Sequence, residues 1–330
     1  MLGFVGYAIA SAVGIALAER WSLGLGDRVA ILVVPPAVFL AVVTGIRVRT
    51  GSERIVFYET ALPAIVGAIA TSWLVGGSVA RVLDATTLGI GTFLVFGRLG
   101  CFAVACCHGQ PARLGVIYGA RHVDAGLPAY LAGRPLWPTQ LVEAAASLAL
   151  VIAAFVLSDA TAGGAALVYI VGYAAIRFVL ELVRGDPARS YWLGASEAQW
   201  IAIATAAACA AWRPSVATIA VALALAASAL VLVARRGRSR WIQPPHLCEL
   251  AGARALSLAD GRRHATSLGV SISCAPLPDG RDDWILTSTS PDWSPDQARA
   301  LAKSLWIDYE ILPGRMAGTI HVITPCTDDR

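Results

Sequence analysis

Apolar stretches bounded by charges or turn residues recur along the first two-thirds of the chain. They fall at residues 2–18, 28–45, 56–77, 85–107, 138–157, 164–184, 197–212 and 215–234. About 18 or more apolar residues suffice to cross a bilayer as a helix. Backbone polar groups in lipid must satisfy one another, so such runs predict a helical bundle. Only Trp212-Arg213-Pro214 separates the last two runs, which gives seven or eight helices. Pro35-Pro36 predicts a kink in the second run. No basic segment precedes the first run and a second follows closely, so residues 2–18 read as an uncleaved helix rather than a signal peptide.

The pattern changes twice. Residues 108–137 are polar and rich in glycine and proline, a connection long enough to suggest a functional cap over one membrane face. After 234, Arg235-Arg236-Gly237-Arg238-Ser239-Arg240 opens a linker through Pro245, and residues 246–330 have the composition of a small soluble domain. There, 268–275, 283–289, 309–313 and 318–324 read as strands. Ser294-Pro295-Asp296-Gln297 reads as a capping-box start to a helix ending near Trp306. The expected fold is an all-α polytopic membrane bundle (1–234, cap 108–137), a linker (235–245) and a small α+β soluble domain (246–330).

Composition sharpens this picture. Of 330 residues 57% are hydrophobic and 15% charged, where soluble domains carry about 25% charge; a cytosolic enzyme, a secreted disulfide scaffold and a disordered chain are excluded. Lys303 is the single lysine among 26 basic residues, a bias that base composition of the coding sequence explains. A net charge of +4 without a basic-aromatic patch gives no reason to expect nucleic acid as a partner. Seven cysteines, at 101, 106, 107, 209, 248, 274 and 326, have no secreted-framework spacing. Cys101-x4-Cys106-Cys107-His108 is not a usual zinc spacing, and small residues that let helices approach closely explain it better. No metal and no cofactor are expected.

The chemistry must therefore lie with charges kept inside apolar helices, where each costs at least about 2.5–3.5 kcal/mol at mid-bilayer. Arg98 stands between Gly97 and Gly100 at the end of an apolar run; alternatively it snorkels to the interface. Glu143 follows Gln140 at the start of the next helix. Tyr173, Arg177, Glu181 and Arg184 are spaced to share one face of a single helix, which would then present a polar stripe to the bundle interior. Arg177 and Glu181 could neutralise each other. Two arginines from separate helices at one face would also suit a phosphate, whose oxygens match the planar guanidinium fork.

These motifs resemble the bacterial prolipoprotein diacylglyceryl transferases. The family's G-R-x-G-N-F run, ending in a glutamate and a glycine, is similar to Gly97–Gly109. Its H-P-S-Q-L-Y-E segment resembles Trp137–Glu143, and its R-F-x-x-E-x-x-R stretch is matched by Arg177–Arg184. A Gly-Gln pair opening its last helix is echoed by Ala198-Gln199. The resemblance covers about residues 1–234. It implies transfer of a diacylglyceryl group from phosphatidylglycerol to the lipobox cysteine of a preprolipoprotein in the bacterial inner membrane, with membrane lipids as surroundings. Arg98 and Arg177 would hold the phosphate and stabilise the leaving group, Glu143 and Glu181 would orient them, and Gly97, Gly100, Gly109, Gln140, Tyr173 and Arg184 would help to bind substrate.

The sequence departs from the family at Cys101 and Cys106, where it has asparagine and glutamate. Its His-Gly-Gly falls at Tyr58-Glu59-Thr60, aligned through Asp84, fourteen residues before Arg98. The expected thiol base is thus absent, and Tyr58 or Glu59 is the expected replacement. Transfer of a lipid-derived group to another acceptor, and a non-catalytic anionic-lipid-binding assembly module, are the alternatives. Orientation is contested. Arg47, Arg49, Arg54, Arg184, Arg189 and Arg235–Arg240 put the C-terminus, and with eight helices the N-terminus, in the cytoplasm. The resemblance puts the cap and active face outside, and is favoured because site arginines bias the count.

Overall fold

The computed structural model describes residues 2–51, 57–290, 293–316 and 318–325. Arg54 and Cys326 lie outside them, as do the side chains of Arg236 and Arg238. In chain order the helices and strands are α1 (Leu2–Arg20), α2 (Leu25–Leu32), α3 (Val34–Thr50), α4 (Phe57–Leu74), α5 (Val79–Ala103), β1 (Pro111–Ile117), α6 (Ala120–Asp124), β2 (Pro135–Leu136), α7 (Thr139–Val156), α8 (Gly164–Leu180), β3 (Tyr191–Trp192), β4 (Ala195–Ser196), α9 (Glu197–Trp212), α10 (Val216–Ser239), α11 (Pro244–Asp260), β5 (His264–Ala265), β6 (Val270–Pro276), β7 (Asp282–Ser288), α12 (Pro295–Leu305), β8 (Glu310–Pro313) and β9 (Thr319–Thr324). The expected class is borne out: a helical membrane bundle followed by an α+β region.

Each apolar run forms a helix over most of its length, the fourth ending at Ala103 and the sixth at Leu180. Among the described residues, five helical segments are long and apolar enough to cross a membrane: Leu2–Arg20, Leu25–Thr50, Val79–Ala103, Thr139–Asp159 and Val216–Arg235. The other three helices, α4, α8 and α9, have 18, 17 and 16 residues. The expected kink is a break at Val33, after which Pro35 and Pro36 sit in the first turn of α3, where the missing N–H groups cost nothing.

Two compact units organise the chain, and each is taken by itself. The first comprises residues 1–104, 139–180 and 201–225. α5 is its axis and packs against α1, α4, α7 and α8, with Leu17, Val82, Leu88, Val151 and Tyr169 buried in the shared core. One carboxylate sets the register of two of these helices. Asp84, fully buried near the start of α5, accepts hydrogen bonds from the backbone N–H of Gly163 (2.7 Å) and Ala166 (2.8 Å) at the start of α8. A carboxylate there satisfies otherwise orphaned donors and the positive end of the helix dipole.

The second unit comprises residues 105–138, 181–200 and 226–330. Its core is a five-stranded antiparallel sheet of order β5-β6-β7-β9-β8, with α11 packed on β5 and β6 and α12 in contact with β9. Trp241, Leu250, Ile272, Trp284, Leu286, Leu301 and Val322 fill it. The four strands and the helix over 295–305 lie within a few residues of the expected positions. The Ser294 hydroxyl meets the Gln297 side chain instead of capping a backbone N–H. α11 is unanticipated. Pro244-Pro245, read as linker, is its first turn, and the supposed linker is helical to Ser239, with Trp241 in the core.

The cap, 108–137, belongs to this unit. Tyr130 packs against the core of the C-terminal domain. The Arg134 guanidinium, buried, donates to the carbonyls of Ser304 and Lys303 (3.2 Å for the latter) at the end of α12, where a cation complements the helix dipole. Burial pushes the Tyr130 phenol well above its usual range and the Arg134 guanidinium down. Two water-facing segments in contact share one side of the membrane. An impermeant maleimide should therefore label Arg121→Cys in the cap and Arg299→Cys in α12, each above the wild-type background, from the same membrane face. Labelling from opposite faces would contradict this topology.

Candidate active site

α5 and α8 run in the same direction from the Asp84 cap. Arg98 lies fourteen residues beyond Asp84, and Arg177 eleven residues beyond Ala166. At 1.5 Å per residue these are rises of about 21 and 16 Å, which bring both arginines near the C-terminal ends of their helices. α7 begins at that end and supplies Glu143 from its second turn. The result is a buried trio: Arg98 Nε lies 3.0 Å and Arg177 Nη1 3.4 Å from Oε2 of Glu143, with all three residues at most 7% exposed. The Tyr173 hydroxyl donates to Oε1 at 2.7 Å. One turn deeper, the Ser147 hydroxyl lies 2.7 Å from that of Tyr169 and donates to the Gly91 carbonyl, and the Tyr169 and Tyr173 rings stack. Glu143 and Ser147 thus face Tyr173 and Tyr169 in a polar ladder through an apolar bundle. Gln140, in the first turn of α7, is also buried.

The expected four-residue stripe is not on one helix. α8 ends at Leu180, so Tyr173 and Arg177 are helical, whereas Glu181 and Arg184 lie in the following turn. The reason is backbone competition. The Val183 carbonyl accepts from Gln110 N–H (2.8 Å), Gly185 N–H donates to the His108 carbonyl (2.9 Å), and Arg184 pairs with Gly109 as a β-bridge. Gly109 N–H and Trp137 N–H complete the lacing with the Trp137 and Gln110 carbonyls. Residues 108–110 are thus a strap joining the ends of all three motif segments. Glycine is required where backbones cross: a Cβ on Gly109 would run into the Trp137 carbonyl, and one on Gly185 into the Gly109 carbonyl. Gly97 and Gly100 have open space around them.

Arg184, 1% exposed, pairs with Asp186 and lies 3.7 Å from Glu181; Arg189 approaches Asp186 at 3.5 Å and Glu181 at 4.0 Å. Asp186 was missed by the motif reading, although an acid after the last motif arginine and before Pro187 is a visible signal. Ser196 and Gln199 form a reciprocal capping box at the start of α9. Glu59 is exposed and Tyr58 half-buried, within electrostatic range of Tyr169 and Tyr173.

The sequence model of the family described as prolipoprotein diacylglyceryl transferase matches residues 54–213, a span that holds every one of these side chains. The matched stretch, about half of the chain, is similar to that family. The resemblance read from three motifs is borne out. The chain is similar to phosphatidylglycerol–prolipoprotein diacylglyceryl transferase 2 of Clostridium perfringens (strain 13 / Type A), 32% identical over 132 residues, 38% of this chain and 48% of the relative. It is also similar to the phosphatidylglycerol–prolipoprotein diacylglyceryl transferase of Clostridium tetani (strain Massachusetts / E88), 28% identical over 111 residues, 33% of this chain and 43% of the relative. The matched region spans about half the length of these curated relatives.

Within the family stretch, the glycines make a sharp contrast. Gly109→Ala should displace the strap and lower the thermal stability of the detergent-solubilised protein by several degrees. Gly97→Ala should leave it within about a degree, since a Cβ meets nothing there and alanine is the better helix former. Equal effects would refute the assignment of the close approach to Gly109.

Proposed function

We propose that this protein moves a diacylglyceryl group from phosphatidylglycerol to the lipobox cysteine thiol of a prolipoprotein in the bacterial plasma membrane. The observation that carries the reading is the convergence of Arg98 and Arg177 on Glu143 inside apolar helices of the family region. That trio carries one net positive charge, and a phosphodiester supplies the matching negative one. A buried pair of guanidiniums sharing one carboxylate is poorly explained as a stabilising device, because the desolvation of each ion rivals the attraction it gains.

The reaction is a displacement at carbon. The acceptor thiolate forms a C–S bond with the glycerol carbon that bore the phosphate. The C–O bond breaks with its electron pair leaving on the phosphate oxygen, and glycerol phosphate departs with that charge. Arg98 and Arg177 stabilise the charge as it develops, in a water-poor site where preorganised donors are most effective. Glu143, bridging both guanidiniums and held by Tyr173, keeps them aimed while no lipid is present. The thiol proton must go to a base, since the thiolate is the nucleophile.

Complementation of a bacterial strain depleted of its own transferase tests this. Wild type should restore thioether-lipidated lipoprotein, and Arg98→Ala and Arg177→Ala, inserted at normal levels, should each lower the rate at least about 100-fold. Wild-type protein that inserts but yields no lipidated product overturns the reading.

A further inference from the structure

Cys106 and Cys107 are expected to serve as small residues between close helices, and the structure removes that reason. α5 ends at Ala103, and both residues lie in the turn that follows, inside the second unit, with Cys106 exposed and Cys107 half-buried. Their Sγ atoms are within 4.8 Å of each other. Adjacent side chains of an extended chain point to opposite sides. Here Ala105 and Cys107 instead take left-handed backbone conformations, both at φ 57°. Outside glycine such conformations are uncommon and persist where the surroundings over-determine them. The surroundings are the strap. The His108 carbonyl accepts from Gly185 N–H (2.9 Å), and Gly109 lies too close to the Trp137 carbonyl for a Cβ. Backbone anchored in this way holds the two sulfurs side by side.

The donor that follows is of a related kind. His108 is 2% exposed, and its Nδ1 lies 3.0 Å from the Gly109 carbonyl. A carbonyl only accepts, so the ring proton sits on Nδ1 and Nε2 carries an open lone pair. Nε2 is buried without a hydrogen-bond partner, and the ring is within electrostatic reach of the Cys107 thiol. Sulfur and imidazole donors in consecutive positions suit soft and borderline ions, whereas carboxylate and carbonyl oxygens suit magnesium and calcium. The number of thiols then selects the ion. Zinc takes four ligands, or three and a water, and two thiols fall short of that. Copper(I), with its filled d shell, is satisfied by two thiolates on opposite sides. Two metal–sulfur bonds of about 2.3 Å placed end to end span about 4.6 Å, and the sulfur pair, within 4.8 Å, matches that span. We propose that Cys106 and Cys107 bind copper(I) as a bis-thiolate at the root of the cap. Both thiols release their protons to solvent as the ion binds, and no electron is transferred. The spacing of these cysteines does not predict a metal, and the geometry does. The proposal does not rest on the transferase reading.

The test is a copper(I) titration of the full chain, purified in detergent and kept reduced and anaerobic, against the coloured copper(I) complex of bicinchoninate. Wild type should draw one equivalent of copper from the chromophore. Cys106→Ser and Cys107→Ser should each weaken that uptake by more than about 100-fold, beyond what loss of an outer-shell partner costs. Cys106 is exposed, so Cys106→Ser should keep the copper-free melting temperature of wild type. Copper should raise that temperature in wild type and leave it unchanged in Cys106→Ser. Excess zinc chloride should not displace the copper. Equal uptake by wild type and both variants would overturn the site, and ready exchange for zinc would overturn the choice of ion. A Cys106–Cys107 disulfide in protein isolated without reductant, with no copper uptake once it is reduced, would overturn the proposal in favour of a thiol–disulfide couple.

Discussion

The Glu143 carboxylate, with a guanidinium on each side of one oxygen and a phenol on the other, is the constraint around which the helical unit is arranged. Removing that carboxylate would leave two like charges facing each other in a medium that screens them poorly, and breaking a buried ion pair commonly costs about 3–5 kcal/mol. Three helices must therefore end at the right height. α5 and α8 are tied together at one end by Asp84, whose two oxygens hold the first turn of α8. The polar ladder of Ser147 with Tyr169 and Glu143 with Tyr173 then fixes α7 against α8 along its length. The Asp84 cap at one end of the bundle is read out as guanidinium placement about 20 Å away.

The same logic separates retained from altered chemistry. Arg98, Glu143 and Arg177 fall on the family motifs, whereas Cys101, Cys106 and Tyr58–Thr60 are where the sequence departs from them. Holding a phosphodiester and activating a thiol are separable tasks. The first needs two fixed cations and a carboxylate. The second needs one neutral nitrogen or oxygen with an open lone pair.

Much of the fold was legible because its signals are local. Each apolar run of the bundle became a helix, since in lipid no other backbone solution is open to it. The strands at 270–276, 282–288, 310–313 and 319–324 followed from alternation and turn residues. Arg98, Glu143 and Arg177 were legible as charges whose cost in an apolar helix had to be met. Arg184 was misplaced because spacing of 4, 4 and 3 continues a helix only while the backbone has no better partner. Here the strap at 108–110, about 75 residues earlier, took the carbonyls and N–H groups of 183–185. α11 was overlooked because Pro-Pro was read as a break, when proline in a first turn is a beginning. The contact of Arg134 with the end of α12 links positions about 170 residues apart, and no periodicity reports it.

That contact also bears on why a soluble domain follows the bundle. A thirty-residue connection at a membrane surface loses much conformational entropy on being ordered, and the cap's own two-stranded ladder, β1 with β2, is too small to hold it alone. Tyr130 in the core of the C-terminal domain and Arg134 at its helix end anchor the middle and the far end of the cap. The near end is held by the strap, whose hydrogen bonds run to 183–185 and to Trp137. The strap is also where His108 sits. Order in the cap, the open lone pair of that imidazole and the early termination of α8 are thus consequences of one backbone arrangement, and a change to any of its crossings is felt by all three.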